Sequence, residues 1–354
     1  MHHILAINPG STSTKVGFFQ DEQLMWDAGI SYTVERLSSF NTVLEQLDMR
    51  REDLHVLIRD KKLDLSSLSA VVGRGGPFKP LSSGTYLIGQ SLLQDIREGR
   101  VQADHVSNLG SFLAYDLAGA AGVPAYFVDP VSVNEFHPVA RYSGLPDLER
   151  RSLLHTLNVK ATAHRFAKEQ NLSLFDINLI VAHLGGGISI CPILKGRIVD
   201  VNNANEGGPF SPERTGSLPV SSLVKLCYSG KFTFNEMKKK LVGEGGAVAY
   251  LGTNDTREIE DRISRGDTHA DEVYHAMAYQ IAKEIGAMAT VLKGDIQAVL
   301  LTGGMAHSSM LVNWIKERIG FLAPVHVYAG ENELEALAMG ALRILRGEEE
   351  ALNY

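Results

Sequence analysis

The chain has 354 residues, a formal net charge of −7 and a hydrophobic share of 44 %, long enough for two domains with proper cores. The acidic balance argues against nucleic acid or an anionic membrane as the main partner, and no apolar run approaches the length of a membrane span. Only two cysteines occur, Cys191 and Cys227, without C-x-x-C spacing, which argues against structural zinc and suits a reducing, cytoplasmic location.

An apolar run at 4–7 is followed by Asn8-Pro-Gly-Ser-Thr-Ser-Thr-Lys15 and a second apolar run from Val16 to Phe19. This pattern predicts strand, tight turn and strand rather than a leader peptide. Small residues let backbone N–H groups approach an anion, the hydroxyls add donors, and Lys15 adds a charge. The tip reads as a phosphate cradle, distinct from the helix-opening P-loop because Gly-Lys-Ser/Thr is missing. Taken alone it also reads as a plain polar turn. A strand is next expected at 70–72, running into Gly73-Arg-Gly-Gly76, and another at 125–128, ended by Asp129 and Pro130. Asp129 falls where α/β ligand crevices lie, which makes it a candidate Mg2+ ligand, with a cap or turn Asp as the plain alternative.

A helix is expected over about 150–168 as a bridge between two halves. Residues 179–182 predict a strand emptying into His183-Leu-Gly-Gly-Gly-Ile-Ser189, followed by a further strand, a Lys195-Gly-Arg turn and Ile198-Val-Asp-Val201. A His heading such a tip is placed to donate to a phosphoryl oxygen, although a lone His more often serves structure. The irregular segment from Pro209 to Pro219 carries one charge pair, Glu213 and Arg214. Loops of this kind seldom serve packing, and an Arg there clamps a carboxylate or phosphoryl group through two parallel hydrogen bonds. An exposed surface Arg is the alternative. Arg74, between glycines at a strand end, is the second candidate clamp. Lys238-Lys239-Lys240 reads as a solvated helix face, and Gly243-Glu-Gly-Gly246 and Asp255-Thr-Arg257 are common turn and pair patterns. Helical stripes are expected at 272–293, 309–319 and 333–346, all core by default, alternating with strands at 298–301 and 324–328. The strand at 298–301 leads into Thr302-Gly-Gly304, either a close backbone approach to a nucleotide or a tight turn.

The two hairpins share one order of strand, Gly/Ser tip, strand and charged turn. A second echo links Ser69-Ala-Val-Val-Gly-Arg-Gly-Gly76 with Gln297-Ala-Val-Leu-Leu-Thr-Gly-Gly304. Both point to a duplicated α/β domain with a ligand between the copies.

Together these strings resemble the acetate kinase/butyrate kinase family of the sugar kinase–actin–heat-shock chaperone fold, over nearly the whole chain and closest to the butyrate branch. They include Asn8 to Lys15, Gly73 to Gly76, His155-Thr-Leu-Asn158, His183 to Gly187, Ser211-Pro-Glu-Arg-Thr-Gly-Ser-Leu-Pro219, Thr302-Gly-Gly-Met-Ala306 and Tyr328-Ala-Gly-Glu-Asn-Glu333. The resemblance implies an α/β fold of duplicated actin/ribonuclease H-like domains with mixed sheets and an interdomain cleft. Domains are expected at 1–155, joined by a C-terminal helix within 333–354, and at 156–332, the nucleotide-binding one. The implied activity is reversible phosphoryl transfer from ATP to butyrate or isobutyrate, giving an acyl phosphate and ADP, with Mg2+. The partners implied are small molecules and a second copy, as a homodimer.

Carried over one at a time, Asn8, Ser11, Ser13 and Lys15 would form the first phosphate tip, and His183 with Gly185, Gly186 and Gly187 the second. Gly303, Gly304 and Met305 would contact the nucleotide. Asp129 and Glu333 would serve the metal, with Glu331 and Glu335 too near Glu333 for the sequence to separate. His183 would steady the transition state, and Arg214 the carboxylate and the transferring phosphoryl group. Acetate kinases have His-Arg-Val-Val-His-Gly-Gly where this chain has Ala70-Val-Val-Gly-Arg-Gly-Gly, so Arg74 stands three residues past the family's substrate Arg. Whether Arg74 takes that role stays open, and His105 is only a weak match for a second active-site His. The rival readings are an acetate or propionate kinase, a sugar kinase using Asp129 or Asp200 as base, and a non-catalytic ATP-driven switch of the actin or chaperone type.

Overall fold

Backbone hydrogen bonding in the computed structural model, which describes residues 1–354, gathers its strands into two sheets. The strands are β1 (His3–Pro9), β2 (Ser13–Gln20), β3 (Gln23–Ser31), β4 (Ala70–Arg74), β5 (Thr85–Leu87), β6 (Ala125–Val128), β7 (Asn178–Leu184), β8 (Ile188–Leu194), β9 (Arg197–Ile198), β10 (Ala298–Gly303), β11 (Val325–Ala329) and β12 (Leu352–Asn353). One compact unit comprises Met1–Asn134 with Asn332–Tyr354, and the other Glu135–Glu331. The expected boundary at 155 lies later than this division, because Phe136, Ala140 and Leu154 bury themselves in the second unit's core beside Leu179 and Val181.

The first unit's sheet has the order β12-β5-β6-β4-β1-β2-β3 and the second's the order β11-β10-β7-β8-β9. In the first, β3, β2 and β1 are antiparallel, and β4 and β6 continue parallel to β1. In the second, β9, β8 and β7 are antiparallel, and β10 and β11 continue parallel to β7. The pattern is the same. Strands β4 and β10, which carry the two strand-Gly-Gly strings, hold the same place in it. The internal repeat therefore exists as topology, not only as similar residues.

Period two places the cores. Leu179 and Val181 of β7 face one cluster with Val159, Ala163 and Phe166. Ile180, Ala182 and Leu184 face the other, with Met277, Ile281 and Ile285. A strand buried on both faces reads as one continuous apolar run, as this one does. The stripe expected at 272–293 is helix Thr268–Val291, begun earlier because the Asp267 side chain caps the Ala270 N–H. Helix Ser309–Ile319 has its expected bounds, and Glu333–Leu345 is close to them. The helix expected from 150 starts only at Thr156. Lys238 to Lys240 lie on the short helix Phe234–Leu241, of which only Met237 is buried. No helix is long and apolar enough to cross a membrane.

Candidate active site

In the first unit, three parallel strands end side by side. Strand β1 delivers Asn8, β4 delivers Arg74, and β6 runs into Asp129. Carboxyl ends of parallel strands are where α/β sheets bind ligands. The Arg74 Nη1 donates to Asn8 Oδ1 at 3.2 Å and pairs with Glu333 Oε1 at 2.5 Å. The Asn8 amide closes the ring by donating to Glu333 Oε2 at 2.6 Å. Glu333 is the first residue of its helix, set there by the Asn332 cap. Arg74 comes this close because Gly73 has no side chain, since a Cβ there would collide with the Gly110 carbonyl. Between β1 and β2 the tip is closed by a Gly10 N–H donating to the Ser13 carbonyl at 2.7 Å. Lys15, exposed, stands opposite Asn8 in the register. His105 accepts the Ser107 N–H through Nδ1, so it serves as the cap of a local turn.

Asp129 is buried, with a left-handed φ of 39°. Its Oδ1 accepts the Gly84 N–H at 2.8 Å. Glu333 commits its two oxygens to Arg74 and Asn8, and no cluster of three or more His, Cys, Asp or Glu is poised to hold a metal. An all-oxygen set of one or two carboxylates still fits Mg2+, which keeps waters and takes its other ligands from substrate phosphates.

In the second unit, β7 carries His183 just before its last residue, Leu184, and the chain turns through Gly185, Gly186 and Gly187 into β8. His183 is 2 % exposed. Its Nδ1 lies 2.8 Å from the Asn158 amide nitrogen, which also donates to Thr302 Oγ1 at 3.2 Å. The Thr302 hydroxyl in turn donates to the Gly330 carbonyl. The His155 ring stacks on His183 at 3.9 Å between centroids and 13° between planes. Burial, then His155, then Arg214 push the His183 imidazolium form out, so its pKa lies well below the usual value.

Arg214 lies across the same tip. A Cβ on Gly187 would strike its guanidinium, so glycine is what allows the two to touch. Its Nη1 donates to Asn205 Oδ1 at 2.8 Å, while its Nε is buried without a partner. Burial also lowers its pKa, but a guanidinium stays charged. The loop is fixed by Ser211, whose hydroxyl donates to the Gly186 carbonyl at 2.5 Å and accepts the Arg214 N–H at 3.1 Å. From the other side, Gly243, Ala247 and Val248 donate their N–H groups to the carbonyls of Glu213, Ser211 and Pro212. The Gly243–Gly246 turn, read as an ordinary turn, is thus the backing of the Arg214 loop.

Register places Thr302 of β10 beside His183 of β7. Gly303 has a positive φ of 88° and would meet the Leu184 carbonyl if it bore a Cβ, whereas the space around Gly304 is open. Met305 follows Gly304 in the short turn Gly304–His307. Its side chain is buried in the core with Leu311 and Ile315, so only its backbone is left for a nucleotide. Asp200 is held bidentately by Arg150, which makes it a structural ion pair rather than a base. Arg50, behind the first tip, stands in no motif, and the roles of His155 and Asn158 beside the second emerge only from the fold.

A model described as the Acetokinase family matches residues 147–333. Over the full length of both chains, the sequence is 54 % identical to a protein of Caldanaerobacter subterraneus subsp. tengcongensis named as a probable butyrate kinase. It is 46 % identical, again over both full lengths, to butyrate kinase 1 of Clostridium acetobutylicum. Among solved structures, acetate kinase of Porphyromonas gingivalis aligns with a TM-score of 0.78 at 17 % identity, covering 98 % of this chain and 100 % of that one. At that identity the likeness concerns the fold alone, an α/β fold with two mixed sheets.

Proposed function

The chain belongs to the acetokinase family, and we propose that it moves the ATP γ-phosphoryl group reversibly onto the carboxylate of a short-chain fatty acid, butyrate foremost. The products are an acyl phosphate and ADP. The observation that carries the reading is the second tip, where a neutral His183 meets Gly185 and a charged Arg214 meets Gly187.

The transferring group passes through a loose, charge-spread transition state, so catalysis is mainly positioning and charge neutralisation. A carboxylate is already ionised near pH 7 and needs no general base. In the second unit, Arg214 has a buried, unused Nε–H and a guanidinium lying on the tip, which suits clamping an anion. His183 donates from Nε2 to an equatorial oxygen, because Asn158 occupies Nδ1. Gly185 to Gly187, Gly303 and Gly304 let phosphate and nucleoside approach the backbone. In the first unit, Ser11, Ser13 and Lys15 hold a phosphoryl group, and Arg74, oriented by Asn8 and Glu333, offsets repulsion between anions. Asp129 would hold Mg2+, joined by Glu333 through the lone pairs that Arg74 and Asn8 leave open, and the ion would supply neutralisation of phosphate charge when bound. The proposal includes a cytoplasmic homodimer. Both cysteines are free, which suits a reducing compartment.

Each methylene of the acid is worth only about 1 kcal/mol in an apolar pocket, so chain-length selectivity should be shallow. The test is a hydroxylamine trap for acyl phosphate with ATP, Mg2+ and straight and branched acids from acetate to valerate. Butyrate and isobutyrate are expected to give the most hydroxamate. An acetate optimum would move the chain to the acetate branch, and no trapped product from any acid would overturn the reading.

A further inference from the structure

Arg50 lies on helix Leu47–Asp60 and is 0 % exposed, a rare state for an arginine. Its Nη1 donates towards the carbonyls of Gly10 at 3.1 Å and Ser13 at 3.2 Å and towards Thr14 Oγ1 at 3.0 Å. Its Nη2 donates to the Ser11 carbonyl at 3.2 Å and to Gln46 Oε1 at 3.0 Å, and its Nε to the same Gln46 oxygen at 3.2 Å. The Tyr32 ring covers one guanidinium face, with Cζ 4.4 Å from the centroid. Gln46 therefore clamps one edge of the fork while the other edges grip the tip. None of these acceptors is a carboxylate.

Two consequences follow from elementary chemistry. A trans peptide points its C=O and the next residue's N–H in opposite directions, and the chain has no cis peptide bond. With the Gly10 and Ser11 carbonyls drawn inward to Arg50, the N–H groups of Ser11 and Thr12 point away from it, and both residues are exposed. Second, a buried cation whose hydrogen-bond acceptors are all neutral dipoles is incompletely compensated by them. An anion seated on the outer side of the tip would complete the compensation.

We propose that Arg50 is a positioning residue of the first tip. It aims the Ser11 and Thr12 N–H groups at a phosphoryl oxygen and lends the tip a buried positive charge. The idea rests on the reading of this tip as a phosphoryl-binding site. It concerns phosphate affinity rather than fold alone, and so predicts an uneven effect on the two substrates.

The test compares the full-length wild type with Arg50→Lys, Gln46→Met and Lys15→Ala, measuring KM for ATP, KM for butyrate, kcat and the rise in Tm caused by ATP. Lys keeps the charge but loses the fork, so Arg50→Lys should raise KM for ATP by about tenfold. KM for butyrate should move by less than about twofold, and the ATP-induced Tm rise should shrink. A folded Arg50→Lys protein with an unchanged KM for ATP, or with both KM values raised alike, overturns the proposal. Should that variant not fold, Gln46→Met decides. Releasing the clamp should raise KM for ATP roughly threefold, and no change would overturn the idea. Lys15→Ala separates the two levels. If it weakens ATP while the Arg50 and Gln46 variants do not, only the role of Arg50 falls. If it leaves ATP binding untouched, the phosphate reading of the tip falls and this proposal falls with it.

Discussion

Arg214 is held by its neighbours rather than by an opposite charge at its tip. Ser211 fixes its backbone, Asn205 takes one Nη, and Gly187 provides the surface on which the guanidinium lies. A side chain so placed loses little entropy when an anion arrives. Removing one such preorganised donor typically costs about 3–4 kcal/mol of transition-state stabilisation. Arg214→Ala should therefore lower kcat by roughly 10²–10³ with a smaller rise in KM. Steady-state kinetics in both directions checks this, and an almost unchanged kcat would remove Arg214 from the chemistry. His183 makes a prediction about pH. Its folded pKa is lowered by burial, His155 and Arg214, so it remains neutral as the medium falls through the usual value of 6.5. The unfolded chain takes up a proton there that the folded chain refuses, so stability falls as pH drops below that value. Activity should behave differently, with kcat level from about pH 8 to pH 6 as far as this group is concerned. A wild-type limb near 6.5 that vanishes in His183→Gln would contradict the neutral-donor role.

At the scale of elements, the site depends on turns that carry no chemistry. Gly246 has a φ of 62°, and a Cβ on it would collide with the Ser211 carbonyl under the Arg214 loop. Gly246→Ala must strain the backbone and push that loop. The expected outcome is a loss of about 1–3 kcal/mol in stability, with kcat reduced beyond what a folded fraction explains. Thermal unfolding measured alongside active-site-normalised kinetics tests it, and full activity at lowered Tm would show that the loop is not so supported. The same elements explain what could be read beforehand. Strand β7 and helix Thr268–Val291 announced themselves by continuous apolarity and by a stripe. The places of Asn8, Arg74 and His183 near strand ends were legible because small residues stand close to each. Helix Leu109–Ala121 escaped notice because it is buried over much of its surface, which erases the one-sided period. Strand β5 is three residues long and exists by pairing with β6 and β12. Arg50 and the role of Asn158 were illegible for another reason. Each sits within an ordinary helix, and most of its partners are far away in sequence, so only folding shows what it touches.

For the molecule as a whole, the repeated strand pattern hides an asymmetry in how the chain supplies each copy. The second unit is one continuous segment, Glu135–Glu331, whereas the first needs Asn332–Tyr354 in addition to Met1–Asn134. That last segment is not ornamental. Helix Glu333–Leu345 packs on β1, β4 and β6, Gly340 approaches Val128 too closely to bear a side chain, and β12 extends the first sheet through β5. Closing a loop that spans most of the chain costs entropy before any contact repays it. The first sheet's apolar face beneath this helix should therefore stay incomplete until the final segment docks. Pulse-labelled hydrogen exchange during refolding should show amides of β7 and β10 protected in an earlier phase. Amides of β1 and of helix Glu333–Leu345 should gain protection together and later. Synthesis from the N-terminus would impose the same order, since the first unit's last helix is made after the whole second unit. A chain cut after Glu331 tests the equilibrium side, with β1 and β4 expected to lose protection while β7 and β10 keep theirs. Full protection of β1 in that truncated chain would mean the C-terminal helix decorates a sheet already stable without it.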